Sequence, residues 1–555
     1  MRLCKLMTPY SLLITAFFTA FSSCKFRQKV PLIVHHAKIY TADDNFSIAE
    51  AMAIRDGKIL ETGSNDAILK KYEGEEELNA GGKTIYPGFI DAHAHFVGYA
   101  FGLGQVNLFG TQSWGECIDR IKTFVQERKI QPGAWIQGRG WDQNDWDIKE
   151  FPTKALLDSS FPNNPVVLER VDGHALIANQ KAIELAGVQA GQSISGGSVE
   201  TVNGRLTGIF IDNAESLLQR VIPAPDKNQY ASALGEAQQN CFAVGLTSVQ
   251  DCGLNKKDVD IIDALQKEGA LKMKMYVMLS DDPANYAAYL SKGIYKTPLL
   301  NVGGFKLYGD GALGSRGACL IHDYSDKPGW KGFLLSNPQH FREVAAKLID
   351  TKFQMCTHAI GDSGNREILR IYAEVLKGKN DKRWRIEHAQ VVDAADFNLF
   401  GENNIIPSVQ PTHATSDMYW AADRLGAERI KSAYAYKELL AQNGWIPLGT
   451  DFPVEDISPF KTFLAAVARQ DAKGFPASGF QSENALTREE TLRGMTIWAA
   501  RAAFEEDEKG SLEKGKAADF IILDTDLMNC ETAAILKTSV ISTFINGEKV
   551  FNKKK

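Results

Sequence analysis

Apolar and polar positions change rhythm twice along the chain. From Val30 to about Tyr86, the stretches LIVHHAKIYT, AMAIRDGKIL and KTIYPGF alternate or carry β-branched residues, with Asp-Gly and Gly-Gly turns between them. This is the pattern of short strands. The end of the chain has the same texture: ADFIILD at 518–524, then VISTFINGEKVF with an Asn-Gly turn at 546–547. Two strand-rich ends around a long middle predict one small β-sandwich domain built from both termini, residues 30–86 and 508–555. The middle, 87–507, reads differently. Short apolar runs there alternate with amphipathic helical stretches, the mark of a parallel α/β arrangement. The runs are TIYPGFIDAHAHF, GLTSVQDCG (245–253), KMKMYVML (272–279), GGFKLYGDG (303–311), FQMCTHAIGD (353–362), WRIEHAQ (384–390), IIPSVQP (405–411) and WIPLGTDFP (445–453). Helical patterns such as FREVAAKLID (341–350) and GNREILRIYAEVLK (364–377) separate them. Eight strands with intervening helices predict a (β/α)8 barrel. The gap at about 105–240 is too long for one helix and predicts an inserted subdomain over the barrel mouth.

Barrel active sites are built at the carboxyl ends of the strands. Those ends carry His93 and His95 on the first strand, Lys306 on the fourth, His358 on the fifth, His388 on the sixth and Asp451 on the eighth. Positions i and i+2 of a strand face the same side, so His93 and His95 emerge together. In WRIEHAQ, His388 shares a face with Ile386 and Trp384, while Arg385 and Glu387 share the other. Glu387 is therefore expected to be an ion-pair partner and not a ligand. Each residue alone has an ordinary explanation: a hydrogen-bonded core histidine, an aspartate helix cap, a lysine that snorkels to solvent. Their accumulation at one end of a counted barrel is what points to a metal centre. A protonated Lys306 would repel a cation, but carboxylated by carbon dioxide it becomes an anion able to bridge two. Four imidazoles, that carbamate and Asp451 suit two divalent ions. Nitrogen and oxygen donors without thiolate favour zinc, with manganese, iron, nickel and cobalt also compatible.

Composition narrows the partners. At 555 residues, with 44% apolar and 23% charged residues, the chain is of ordinary globular make-up, which argues against disorder and against a polytopic membrane protein. A formal charge of -6 gives no sign of a nucleic-acid partner. Arg2 and Lys5 precede the apolar run SLLITAFFTAF (11–21) and then SSC. The run suits a signal-peptide core and is too short for a permanent span. The small-small-Cys ending resembles the bacterial lipoprotein cleavage box. It implies a leader over 1–24, lipidation of Cys24, export, and anchoring on the periplasmic or cell-surface side of a membrane. The cysteines Cys117, Cys241, Cys252, Cys319, Cys356 and Cys530 form no C-x-x-C pair, so any metal is held by histidine and carboxylate.

The stretches PGFIDAHAHF, RVDGHALIAN, GFKLYGDGALGSRGA, THAIGD, RIEHAQ, PSVQPTHATSD, LGTDFPV and GSLEKGKAADFIILD resemble, in order, the amidohydrolase superfamily. The match is to its amidohydrolase-3 (YtcJ-like) branch, which includes N-substituted formamide deformylases. The resemblance implies a (β/α)8 metallohydrolase barrel with a β-sandwich from both termini. It also implies His93 and His95 on the more buried metal, His358 and His388 on the other, a carboxylated bridging Lys306, and Asp451 beside the attacking hydroxide. The expected reaction is hydrolysis of a C–N bond in a small amide-like substrate, with Asp451 passing a proton to the departing nitrogen. Two alternatives are a mononuclear deaminase or other hydrolase with unmodified Lys306, and a non-catalytic binding lipoprotein of the same fold. A homodimer is left open. His174 in the insertion and His413 after the seventh strand are expected near the substrate, Arg316 on an anionic substrate group, and Trp141 and Trp146 on the pocket wall. Asp310 is expected as a supporting carboxylate or a turn former.

Overall fold

The computed structural model describes residues 27–143, 146–170, 175–192, 194 and 197–554. The leader with Cys24, and His174, lie outside the described residues.

Both termini build one two-sheet unit. A four-stranded sheet takes Gln28–His35, Ala51–Arg55, Lys58–Gly63 and Tyr72–Asn79. A six-stranded sheet joins Lys38–Tyr40, Ile48–Ala49 and Thr84–Pro87 to the C-terminal strands Phe520–Leu523, Val540–Ile545 and Glu548–Asn552. Leu32, Val34, Met52 and Ile54 of the first sheet share a core with Ile39, Ile85, Ile522 and Phe544 of the second. Phe520 and Phe544, paired in register, stack at 4.2 Å. The chain ends thus hold each other through apolar faces that neither could bury alone.

Seven parallel strands follow: β1 (Phe89–Ala94), β2 (Leu246–Leu254), β3 (Lys274–Ser280), β4 (Leu300–Tyr308), β5 (Gln354–Ala359), β6 (Arg385–His388) and β7 (Ile406–Ser408). They are buried almost throughout, which explains their continuous apolar runs. The eighth predicted strand forms no regular strand but closes the ring. Val409 bridges Leu448 in parallel, Ala92 N–H donates to Leu448 O (3.2 Å), and Asp451 N–H donates to His93 O (2.8 Å). Gly449 permits this closure, because a Cβ there would lie 2.5 Å from the His93 nitrogen. The intervening helices include α1 (Lys227–Ala243), α2 (Lys256–Lys267), α3 (Pro338–Leu348) and α4 (Asp362–Leu376). The last two begin three and two residues before the predicted patterns. In α3, Asn337 caps the helix through Gln339 N–H and Pro338 occupies the first turn.

The insertion carries its own six-stranded sheet between Val106 and Asp212. Leu168, Ile177 and Ile209 face one apolar cluster; their neighbours Val167, Leu176 and Phe210 face another. Both faces of this sheet are therefore covered, as the period of two requires. No described helix is long and apolar enough to cross a membrane.

Candidate metal centre

The predicted ligands meet at the carboxyl end of the barrel. His93, fully buried on β1, reaches Glu387 Oε2 through Nδ1 at 2.5 Å. Its Nε2 lies 3.3 Å from Lys306 Nζ and 3.5 Å from Asp451 Oδ1. The His95 Nε2 is 3.3 Å from the same Asp451 oxygen. His388 lies 4.7 Å from His93 with the rings tilted and 4.5 Å from His358 edge to face, ring centre to ring centre. Its Nδ1 donates to Gln410 Oε1 at 2.7 Å, which turns the Nε2 lone pair toward its neighbours. His388 (φ 75°) and Asp451 (φ 64°) both adopt left-handed backbone. Non-glycine residues pay about 1–2 kcal/mol for that geometry, and here it aims the two side chains inward.

Donor atoms of His93, His388 and Asp451 all lie within 4.8 Å of one another. Asp451 Oδ1 is buried and has no hydrogen-bond partner. A buried, ionised and unpartnered carboxylate oxygen is costly, and convergent imidazoles with free lone pairs are the complement of a divalent cation. The residues present fit a metal. Charge states agree: burial, reinforced by the Lys306 ammonium, lowers His93 to about 4 and His358 to about 3, and burial also drives His388 well below the usual histidine range. All three are neutral at pH 7, the form that ligates. Burial opposes ionisation of Asp451, but the surrounding His93, His413 and His95 hold it well below the usual carboxylate range.

Glu387 pairs with Arg385 at 2.7 Å, as expected from the strand alternation. It also fixes the His93 ring, a role the alternation alone did not reveal. Burial would raise its carboxyl, but Arg385 and His93 bring it down to about 2. His413 bridges Asp451 Oδ2 and Glu455 Oε1, each at 3.3 Å. Burial opposes its charge, and the two carboxylates overcome this and raise it to about 10.

A cavity of about 380 Å³ opens above the centre and exposes His95, Lys306, His358, His388, His413 and Asp451. Two expectations need correction, those for the tryptophans and for Arg316. Trp141 does not line it: its indole N–H donates to Leu168 O at 2.9 Å, and the ring packs among Trp146 and Phe151 inside the insertion. Trp146 is likewise buried there. Arg316 is held by Asp326 at 3.1 and 2.7 Å and is not among the residues lining the cavity. Asp310 is buried and accepts three backbone N–H groups, from Cys319, Ile360 and Gly361. It ties the loop after β4 to the end of β5, the turn-forming alternative, and its Oδ1 also lies 3.7 Å from His358 Nε2. Burial raises it to about 7. No described residue of the insertion lines the cavity. Its walls come instead from the loops after β4, β7 and the closing segment. Gln410, Asp417, Trp420 and Glu455 were missed by sequence reasoning; the four-residue spacings His413–Asp417 and Asp451–Glu455 were the signal for the two carboxylates.

Residues 76–551 match the Amidohydrolase family. The chain belongs to that family. This places it among the metal-dependent hydrolases of the amidohydrolase superfamily. The chain is 34% identical to Protein LONG AFTER FAR-RED 3 of Arabidopsis thaliana, over 94% of this chain and 91% of the plant protein. It is 26% identical to the N-substituted formamide deformylase of Arthrobacter pascens, over 93% of this chain and 97% of the other. The crystal structure of an uncharacterized metal-dependent hydrolase from Pyrococcus horikoshii superimposes with a TM-score of 0.78 at 28% identity, covering 90% of this amidohydrolase and 99% of that chain. Relatives of such different description share the scaffold, so the activity has to be argued from the site.

Proposed function

We propose that this amidohydrolase cleaves a C–N bond of amide or formamide type in a small molecule, using two divalent metal ions, zinc by preference. The observation that carries the reading is the convergence of His93, His388 and the unpartnered Asp451 oxygen at the barrel mouth. His93, His95, His358, His388 and Asp451 would hold the ions, with Lys306 carboxylated on Nζ as the bridge. When bound, such ions lower the pKa of water and polarise a carbonyl. The protein side of the chemistry falls to Asp451. Ionised at neutral pH, it accepts the proton released in the attack and returns it to the departing nitrogen. His413, on the other Asp451 oxygen, keeps that carboxylate turned toward the centre. Glu387 and Gln410 hold the His93 and His388 rings in the ligating tautomer. The deformylase relative supports a small amide as substrate.

Metal analysis of the purified protein should give about two ions per chain, and a panel of formamides and N-acyl amines should include a substrate. Lys306→Ala should lose both metal and turnover, with partial rescue by short carboxylic acids. A stoichiometry of one, with Lys306→Ala still active, would favour the mononuclear reading. The lipoprotein leader belongs to the same proposal: Cys24→Ser should abolish lipid labelling and release the protein from the membrane fraction.

A further inference from the structure

The two oxygens of Asp451 face different ways. Oδ1 looks toward the Nε2 atoms of His93 and His95, at 3.5 and 3.3 Å, and has no hydrogen-bond partner. Oδ2 lies 3.3 Å from His413 Nε2. The opposite edge of that imidazole is engaged as well, with His413 Nδ1 3.3 Å from Glu455 Oε1. The same Glu455 oxygen accepts from the Ser416 hydroxyl at 2.6 Å. A row of polar groups therefore runs outward from the metal centre, from Asp451 to His413 to Glu455 to Ser416.

The row joins two segments of the barrel mouth. His413 and Ser416 lie three residues apart on the helix Pro411–Asp417 after β7, so they share a face. Asp451 and Glu455 flank a turn closed by the Val454 N–H on the Asp451 carbonyl (2.8 Å). Asp451 itself has a left-handed backbone and belongs to no regular strand. The direction of its carboxylate therefore depends on what holds its oxygens. A carboxylate beside divalent ions can bind through one oxygen or through both. His413 occupies Oδ2 and leaves Oδ1 for the metal. The outer torsion of a histidine side chain is broad, however, so one contact at Nε2 does not fix the ring. Glu455, on the other edge, supplies the second contact.

We infer that Glu455 is a positioning residue of this metal centre: it fixes the His413 ring, and the ring holds Asp451 with one oxygen toward the metal. The inference rests on the proposed metal centre and extends it to a residue outside the ligand set. Glu455 also stands between two cavities, the one above the centre and a smaller one of about 180 Å³ lined by Thr412, Thr415 and Lys461. A shorter side chain there opens onto polar space that water can enter and leaves no dry void.

The test challenges the zinc-loaded protein with a chromophoric chelator and records the visible bands of the cobalt-loaded form. Glu455→Ala should bind zinc about 10-fold more weakly, the low end of what losing an orienting partner costs, and its cobalt bands should shift. Its metal-stripped form should melt within about 2 °C of the parent. Glu455→Gln, whose amide oxygen still accepts from His413 and Ser416, should return zinc affinity to within about two-fold of the parent and restore the bands. On any formamide that the parent hydrolyses, Glu455→Ala should lower kcat about 10-fold with KM nearly unchanged. Affinity and bands equal to the parent's in Glu455→Ala would overturn the inference. So would a weakening that Glu455→Gln shares in full, or one explained by a lower melting temperature of the stripped protein. A parent that binds zinc but hydrolyses nothing on the panel would sink the proposed reaction alone, whereas one that binds no metal would sink both. Should Glu455→Ala not fold, Glu455→Asp, one methylene short of the His413 ring, takes its place under the same expectations.

Discussion

At the carboxyl end of the barrel, His93 and Glu387 are fully buried and 2.5 Å apart. In the inserted sheet Trp141 is equally buried, but against Trp146 and Phe151, with its one polar atom satisfied by the Leu168 carbonyl. In sequence both were candidates for the site, His93 at the end of an apolar run and Trp141 at the end of IQGRGW. The difference lies in what completes them. Every Trp141 requirement is met within the insertion, which marks it as core. The Asp451 oxygen and the imidazole nitrogens beside His93 keep unmet capacity, and buried unmet capacity marks a site for something absent from the chain.

Substitutions can break this contrast. The largest effect belongs to Asp451→Asn: about a 10³-fold loss of kcat, within the span for a general acid–base group, with a much smaller loss of bound metal by elemental analysis. Glu387→Gln comes next. It leaves Arg385 buried without its charge partner, a change that costs about 3–5 kcal/mol, and loosens the His93 ring, for about 10–100-fold weaker metal binding. Denaturant unfolding and metal titration measure the two. Trp141→Ala should lower stability by about 3–5 kcal/mol while kcat/KM of the folded fraction stays within a factor of two to three, roughly. A large loss of turnover at full stability would return Trp141 to the pocket.

Acid sharpens the same comparison. Glu387 sits at about 2 against an ordinary 4.5, so the stability it contributes is complete above pH 4.5 and is lost as pH falls toward 2. His93, at about 4 against 6.5, refuses a proton that the unfolded chain accepts, and stability falls from pH 6.5 down to 4. The metal-free protein should therefore begin to lose stability near pH 6.5, and Glu387→Gln should flatten the lower part of that limb. The smallest effect is expected for Arg316→Ala. Its pair with Asp326 is exposed to solvent and screened, so stability should hardly change, and kcat/KM toward uncharged substrates should hold.

The strand count read correctly because parallel strands buried on both faces must be apolar throughout, and such runs stand out between helical patterns. The candidate ligand residues stood out because imidazole, amine and carboxylate at the ends of those runs have no cheap alternative, and the fold brings His93, His388 and Asp451 together. Arg316 misled for a related reason: its partner, Asp326, comes from a loop conformation that no periodicity encodes. Gln410 shows the converse, an unremarkable residue made important by where β7 ends.

The sequence by itself determined the architecture, the two-ended sheet domain and the set of side chains able to bind metal, since these follow from local pattern and chemical type. Only the tertiary structure decided which nitrogen of His93 and His388 is free, that Glu387 serves two partners, and that His413 and Glu455 stand behind Asp451. Those facts depend on contacts between residues far apart in the chain. The distances that set them, a few ångströms across the barrel mouth, exist only once the eight segments have closed.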